Sequence, residues 1–540
     1  MNWREVRKTG RNGGVNPPQT MNSTPLTTPA LLEAPDLTTP LLVLAMIAVC
    51  MLLQHGKQAA EGAAWVARLF FAFALVLACG VMLAGPIRVE FAAYGPLKLA
   101  ILADPLSALM FVLVSFLGLI VTRYSINYLA GDPRQATFSR WLAITLTSVL
   151  VLVLSSNLLL FTVAWIATSL SLHQLLTFYH ERPTAMMAAR KKFIVSRLAD
   201  ACMITALVLV WRGHGTWEFH ELFANPAASN AGLVAGLLVA AAMLKSAQFP
   251  FHSWLPDTLE TPTPVSALMH AGIINAGGFL IVRLSPLIIQ SPIALNTLAL
   301  LGAFTALFAS VIMMTQTSIK KSLAWSTVAQ MGFMMLQCGL GAFALAMMHI
   351  VAHSLYKAHT FLRSGSVVDL AKSAWVPVGR PAAHPLVVLG SLAVSISVGF
   401  GMAVALGVTM QSDPGHMLLI AVFIMAMAHL LWTLWSSSLR QRLFLRGLGI
   451  VVLATTTCFA LHSGFEHLLA ASLPNYAPSR SGVENAVMIL VALLFLTVLI
   501  FQSQLPAWAS RSAFARFYVH ASNGFYVGTL FNRITQKLSA

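Results

Sequence analysis

The stretch Leu233-Val234-Ala235-Gly236-Leu237-Leu238-Val239-Ala240-Ala241-Ala242-Met243-Leu244 runs straight into Lys245-Ser246-Ala247-Gln248-Phe249-Pro250. The apolar run has no polar face to offer water. It then meets a lysine and, shortly after, a proline, which removes a backbone donor and breaks a helix. Carbonyls freed inside a bilayer need water or polar neighbours. Comparable runs of about 20 apolar residues, the span of a membrane helix, recur along the chain. Of its 540 residues 58% are hydrophobic and only 9% charged, where a soluble domain carries roughly 25%. The charges are too few to coat a water-facing surface. The expected fold class is an all-α polytopic membrane protein with about 13–15 transmembrane helices, one of them broken near Lys245–Pro250.

Working outward, spans are expected near 40–54, 65–84, 100–122, 141–156, 158–178, 199–211, 231–249, 264–282, 294–314, 322–340, 343–362, 385–409, 416–435, 447–463 and 484–504. Loops after odd-numbered spans hold most of the basic residues: Lys57 and Arg68; Arg123, Arg134 and Arg140; Arg182, Arg190, Lys191, Lys192 and Arg197; Lys320 and Lys321; Arg363, Lys372 and Arg380; Arg440, Arg442 and Arg446. The other loops carry Arg88, Lys98, Arg212, Arg283 and Arg480. Basic loops stay cytoplasmic, so the N-terminus is expected outside and the C-terminus inside. This loop placement also accounts for the net charge of +16 without nucleic acid as a partner. Residues 1–39 are polar, rich in Pro, Thr and Asn, and read as a disordered lead-in, with Met21 an alternative start to Met1. Residues 40–504 form the membrane domain. Residues 505–540 form a basic-aromatic cytoplasmic tail, suited to the membrane surface or to a partner. The five cysteines (Cys50, Cys79, Cys202, Cys338, Cys458) show no paired spacing and read as small apolar fillers.

Function in a membrane chain is sought among ionisable residues inside the spans, because each costs several kcal/mol unless it faces a wet cavity or a partner. Lys245 beside the break at Pro250 combines a partly buried amine with backbone that admits water; the bland alternative is a lysine snorkelling to the interface. His270 sits mid-span, either as a proton site or as a hydrogen-bonding link to a neighbouring helix. His349, His353 and Lys357 recur at i, i+4 and i+8 and share one helix face. Imidazoles titrate near neutrality and can pass protons along a hydrated file. The alternatives are packing or a metal, and the adjacent lysine disfavours a cation. Asp257 and Glu260, flanking Pro256 and Pro262, read as pairing partners, as do Asp200 and Asp104 near span starts. Neither a phosphate loop, a nucleophile–base pair nor a cysteine metal pattern is present, so no cofactor and no metal are expected.

The block Lys245-Ser246-Ala247-Gln248-Phe249-Pro250-Phe251-His252-Ser253-Trp254-Leu255-Pro256-Asp257, continued by Thr261-Pro262-Thr263-Pro264-Val265-Ser266-Ala267-Leu268-Met269-His270-Ala271, closely resembles the signature of the large antiporter-like subunits. These occur in respiratory NADH–quinone oxidoreductase and in Mrp-type cation/proton antiporters. Ile319-Lys320-Lys321-Ser322-Leu323-Ala324-Trp325-Ser326-Thr327, the His349/His353/Lys357 helix and Asn523-Gly524-Phe525-Tyr526-Val527 match as well. The resemblance is dense over residues 100–365. It implies an antiporter-like fold and a proton half-channel whose groups would be Lys245, His270 and His349/His353/Lys357, with Pro250, Lys320, Asp257 and Glu260 in support.

The sequence also departs from that pattern. The family's Trp-Glu is Trp165-Ile166 here, and the Asp of its Thr-Asp-Ile-Lys is Ser318. The late spans 385–409 and 416–435 offer His429 in place of a lysine or glutamate. With the basic stretch Ala189–Phe193 and no long lateral helix, the chain looks like the DabB-type subunit of a two-component inorganic-carbon pump in the bacterial cell inner membrane. That resemblance implies proton flux coupled to a large zinc-containing, carbonic-anhydrase-like subunit (DabA type). The alternatives are a subunit of a respiratory or Mrp-type complex, or a non-conducting scaffold. A scaffold would not need to keep costly charges in its spans.

Overall fold

The computed structural model describes residues 57–95, 97–365, 384–405, 414–435, 440–476, 481–508 and 511–539. The expected lead-in with both candidate starts, the span 40–54, Cys50, Lys372, Arg380 and Arg480 lie outside them. Each of the other fourteen expected spans has a helix. Eleven helices among the described residues are long and apolar enough to cross a membrane. The remaining three expected spans are a shorter apolar helix, Ala231–Lys245; Ile319–Gly339, which opens on Lys320 and Lys321; and Phe343–Leu362, which carries His349, His353, Lys357 and His359 along its length.

In chain order the first elements are α1 (Lys57–Ala84), a hairpin of β1 (Ile87–Tyr94) and β2 (Leu97–Ala103), α2 (Pro105–Tyr128), α3 (Gln135–Leu154) and α4 (Leu158–Leu176). The hairpin is antiparallel and bulged between Glu90 and Ala92. Its first strand alternates apolar and polar residues (Ile87-Arg88-Val89-Glu90), the period of a half-covered strand. It replaces the start expected for the span 100–122, which begins instead at Pro105. Pro105 follows Asp104, whose side chain caps the helix by accepting from the Ser107 N–H.

The next helix, α5 (Pro183–His214), is much longer than the span expected at 199–211. Pro183 opens it at a position where a missing N–H costs nothing, and Gly215, in the left-handed region at φ 68°, ends it. The basic stretch Ala189–Phe193 is therefore not a loop. Lys191 and Lys192 are buried in the helix and drop out of the count of loop charges.

Past α6 (Phe219–Ala224) and α7 (Ala231–Lys245) the chain breaks into short turns. These lead through α8 (Trp254–Asp257) to α9 (Thr263–Ala271) and α10 (Ala276–Arg283). Ala247 takes a left-handed φ of 50° at the break. α10 comes close enough there that a Cβ on Gly277 would collide with the Ala242 carbonyl and the Ser246 hydroxyl. The rest comprises α11 (Ser285–Ile288), α12 (Pro292–Met313), α13 (Ile319–Gly339), α14 (Phe343–Leu362), α15 (Pro385–Ala405), α16 (Pro414–Trp435), α17 (Arg440–Leu469), α18 (Gly482–Trp508), α19 (Ser512–Ser522) and α20 (Val527–Ser539). One core runs from α1 to α14; a smaller one joins α12 and α13 to α16 and α18.

The tail does not hang free. Tyr518 and Gln316 tie α19 to the end of α12, and Phe531 of α20 packs edge-on against Phe251 at 5.5 Å. Lys191 reaches the Gly528 carbonyl at 3.5 Å.

At the far end from that tail, Asp104 receives two guanidinium bonds from Arg283, at 2.7 and 2.8 Å. Burial by itself would push the Asp104 carboxyl up, but the Arg283 charge and hydrogen bonds outweigh it and hold the group at about 2, below its ordinary 3.8. Its folded value is lowered, so the stabilisation is complete above about pH 4 and is lost as pH falls through about 2. Asp104→Asn should destabilise the protein by roughly 3–5 kcal/mol, because it strands a buried guanidinium. Thermal unfolding in detergent at pH 7 measures this, and a melting temperature equal to wild type would mean that the pair is not structural.

Candidate functional site

Two groups of buried ionisable residues occupy the first core. The first surrounds the end of α7. Lys245 is 6% exposed, and its Nζ has no hydrogen-bond partner among the described residues. It lies 4.3 Å from the centre of the Trp165 ring, a cation–π contact strengthened by exclusion from water. Asp200 on α5, also buried, pairs with Arg197 at 2.6 Å and is within electrostatic reach of both Lys245 and Lys192. Lys192 donates to the Ser169 carbonyl at 2.8 Å and its hydroxyl at 3.1 Å. Three basic side chains thus share one carboxyl group.

The second group lies where α9 crosses α14. His270 and Lys357 are fully buried and His353 is nearly so. Neither ring nitrogen of His270 or His353 has a hydrogen-bond partner. His270 stacks on Phe361 at 4.3 Å, and the His349 and His353 rings are 6.0 Å apart. Half-buried His349 meets the Gln337 side chain at 2.9 Å, and Lys357 donates to the Leu323 carbonyl at 3.0 Å. Interactions link His353 to His349, His270 and Lys357. The row expected from i, i+4, i+8 spacing is therefore present, and His270 joins it from the neighbouring helix. Asn275, in the turn between α9 and α10, donates to the Ser354 hydroxyl at 2.8 Å and fixes that crossing. Lys245 belongs to the other group.

The supporting residues sit at one end of these groups. Asp257 pairs with Lys191, Glu260 with Arg182 at 3.4 Å, and Lys320 donates to the Thr263 hydroxyl at 3.1 Å. Pro250 lies in the irregular turn after α7. His429 packs edge-on against Trp432. Ser318 still caps α13, accepting from the Lys321 N–H, so the exchange of the family's acid for serine keeps the cap and loses the charge.

The sequence offers Asp200 as a pairing partner near a span start, and Asp200 pairs with Arg197; it gives no sign that Asp200 faces Lys245, and it places Lys192 in a loop. The signal for both was the Pro183–Gly215 punctuation of a single long helix. The sequence offers His252 only as part of the Lys245–Asp257 block. It is fully buried with neither ring nitrogen bonded, and it lies among Phe249, Phe308 and Trp325 at 5.3–5.8 Å. Unpartnered buried imidazoles and amines are costly; they suit a path in which transient water completes the hydrogen bonds.

Comparisons with known proteins give the family. Residues 155–376 match the model of the NADH:quinone oxidoreductase/Mrp antiporter membrane domain, and residues 92–139 that of the N-terminus of chain 5 of NADH–ubiquinone oxidoreductase (complex I). A relative from Halothiobacillus neapolitanus, described as probable inorganic carbon transporter subunit DabB2, is 40% identical over 491 residues, covering 88% of this chain and 86% of its own. The chain belongs to the antiporter-like family of membrane transport subunits. Within that family, a probable inorganic carbon transporter subunit DabB from Hydrogenovibrio crunogenus is 46% identical over 49% of this chain and 52% of its own. Antiporter-like architecture recurs in a solved Mrp complex from Dietzia sp., with a TM-score of 0.62 and 24% identity, covering 91% of this chain and 60% of that one.

The shared carboxylate gives a direct test. Asp200→Asn should destabilise the folded protein by leaving Lys245, Lys192 and Arg197 to repel one another, and adding Lys192→Met should recover part of the loss. A coupling of about 0.5–3 kcal/mol is expected from the double-mutant cycle read by unfolding in detergent. Strict additivity would mean that these side chains do not interact.

Proposed function

We propose that this chain is the proton-conducting membrane subunit of an inorganic-carbon uptake complex in a bacterial inner membrane, with its N-terminus outside and its C-terminus cytoplasmic. The observation that carries the reading is the buried set Lys245, His270, His349, His353 and Lys357 at the positions where the resemblance places a half-channel, four of them deeply buried. A scaffold would have no reason to hold such residues at several kcal/mol each. The choice of inorganic carbon rests on the 40% identity that extends along 88% of the chain to a relative described as a probable inorganic carbon transporter subunit.

In this mechanism protons enter from the outer face and move among the two groups through transient water. They leave toward the end marked by Asp257, Glu260 and Lys320. Asp200 takes the place of the absent glutamate at Ile166, holding a negative charge near Lys245 as the lysine gains and loses its proton. The membrane potential supplies about 2.3 kcal/mol per charge per 100 mV. A large zinc-containing, carbonic-anhydrase-like subunit on the cytoplasmic side would harvest it by hydrating CO2.

A second reading, a subunit of a respiratory or Mrp-type complex, draws on the family models and on the Mrp-like fold. The isoleucine at 166 and the serine at 318 speak against it, because both remove carboxylates on which those complexes would depend.

Co-purification from gently solubilised native membranes separates the two. One large zinc-bearing soluble partner is expected; flavin or iron–sulfur proteins, or several small membrane subunits, would return the chain to the second reading. Lys245→Ala should lower carbon uptake by tenfold or more with the complex still assembled, and unchanged uptake would sink the half-channel. Replacing His349 and His353 together should also abolish uptake, and uptake at the wild-type rate would reduce that row to packing.

A further inference from the structure

A third set of ionisable side chains lies outside both groups, between α16 and α17. His416 stands three residues into α16, and His462 and Glu466 are one turn apart near the end of α17. One ligand atom from each of the three lies within 4.8 Å of the others. The two imidazole rings are 6.0 Å apart, and His462 Nε2 is 3.3 Å from a Glu466 carboxylate oxygen. The other ring nitrogen of His462, Nδ1, is buried without a hydrogen-bond partner. The pairing with Glu466 thus leaves half of that ring's bonding capacity unused.

We propose that His416, His462 and Glu466 form a divalent-cation site of the zinc class that joins α16 to α17. Two imidazoles and a carboxylate are a donor set that zinc accepts, with ligand distances of about 2.0–2.2 Å and a fourth position for water. Small side-chain rotations bring three atoms that are already clustered onto one ion. The half-buried histidines and the exposed glutamate leave the position open to an incoming ion. The electrostatics differ from those of His349 and His353, which have Lys357 on the same stripe. The charged or titratable groups acting on His462 are Glu466 and His416, with no lysine or arginine among them in the described residues. The i, i+4 spacing of His462 and Glu466 puts two ligands on one face of α17, and α16 supplies the third, so an occupied site clamps the two helices at one membrane boundary.

The test uses the full chain purified with a non-histidine tag, stripped by a chelator and dialysed against buffered free Zn2+. Bound metal is counted by mass spectrometry. One zinc per chain is expected, with at least tenfold weaker binding in His416→Ala, His462→Ala and Glu466→Gln. Glu466 is exposed, so Glu466→Gln keeps the fold even if a histidine variant does not, and thermal unfolding of the metal-free proteins verifies this. Cobalt substitution gives an independent readout: wild type should show visible d–d absorption of a low-coordinate nitrogen–oxygen site that Glu466→Gln alters. Undiminished zinc affinity in Glu466→Gln and in the folded histidine variants, or an unaltered cobalt spectrum, would overturn the site.

Discussion

A positive charge buried in a lipid-embedded protein must find compensation within the protein or in admitted water, and the centre of this molecule is arranged around that need. Lys245 terminates α7 where the backbone turns irregular, faces the Trp165 ring, and shares the field of Asp200 with Lys192. α5 brings Lys191, Lys192 and Asp200 into the interior on a single helix. The break requires a close approach by α10, which only a glycine at 277 permits. It also requires the neighbouring turn to be held, which Asn275 does through Ser354. The histidine row and the lysine group are thus fixed by one discontinuity in the helical framework.

Much of this was legible in the chain. Apolar runs separated by short basic loops give the membrane class and the positions of fourteen helices among the described residues, because lipid leaves the backbone no other way to satisfy its polar groups. The i, i+4, i+8 spacing gives the row on α14, because helix geometry alone sets it. The pairing of Lys191 with Asp257 and of Lys192 with Ser169 was not legible. These contacts join residues far apart in sequence, and a doublet of lysines looks like a loop until Pro183 and Gly215 are read as the two ends of one helix. The hairpin was hidden for a related reason: strand alternation of four or five residues is indistinguishable from the fringe of a long apolar run.

The departures from the family pattern also look different in three dimensions. Ile166 packs against the core, and the nearest compensation for Lys245 comes from the adjoining helix. With no carboxylate at 166, the one acidic group in reach of Lys245 among the described residues is Asp200 on α5. The positive group is then tied to α5, which also carries Lys191 and its contact with Asp257. A shift of α5 would therefore be felt at Lys245 and at Asp257 together.

The closure of the broken segment by α19 and α20 bears on how the molecule is made. Lys191 and the Gly528 carbonyl it reaches are separated by 337 positions, and Phe531 meets Phe251 across 280. The groups of both buried clusters precede these helices in the chain and are made before them. The turns after α7 therefore reach their final packing only once the residues around Gly528 and Phe531 have been made, which puts this part of the interior among the last to be completed although its own residues lie near the middle of the chain.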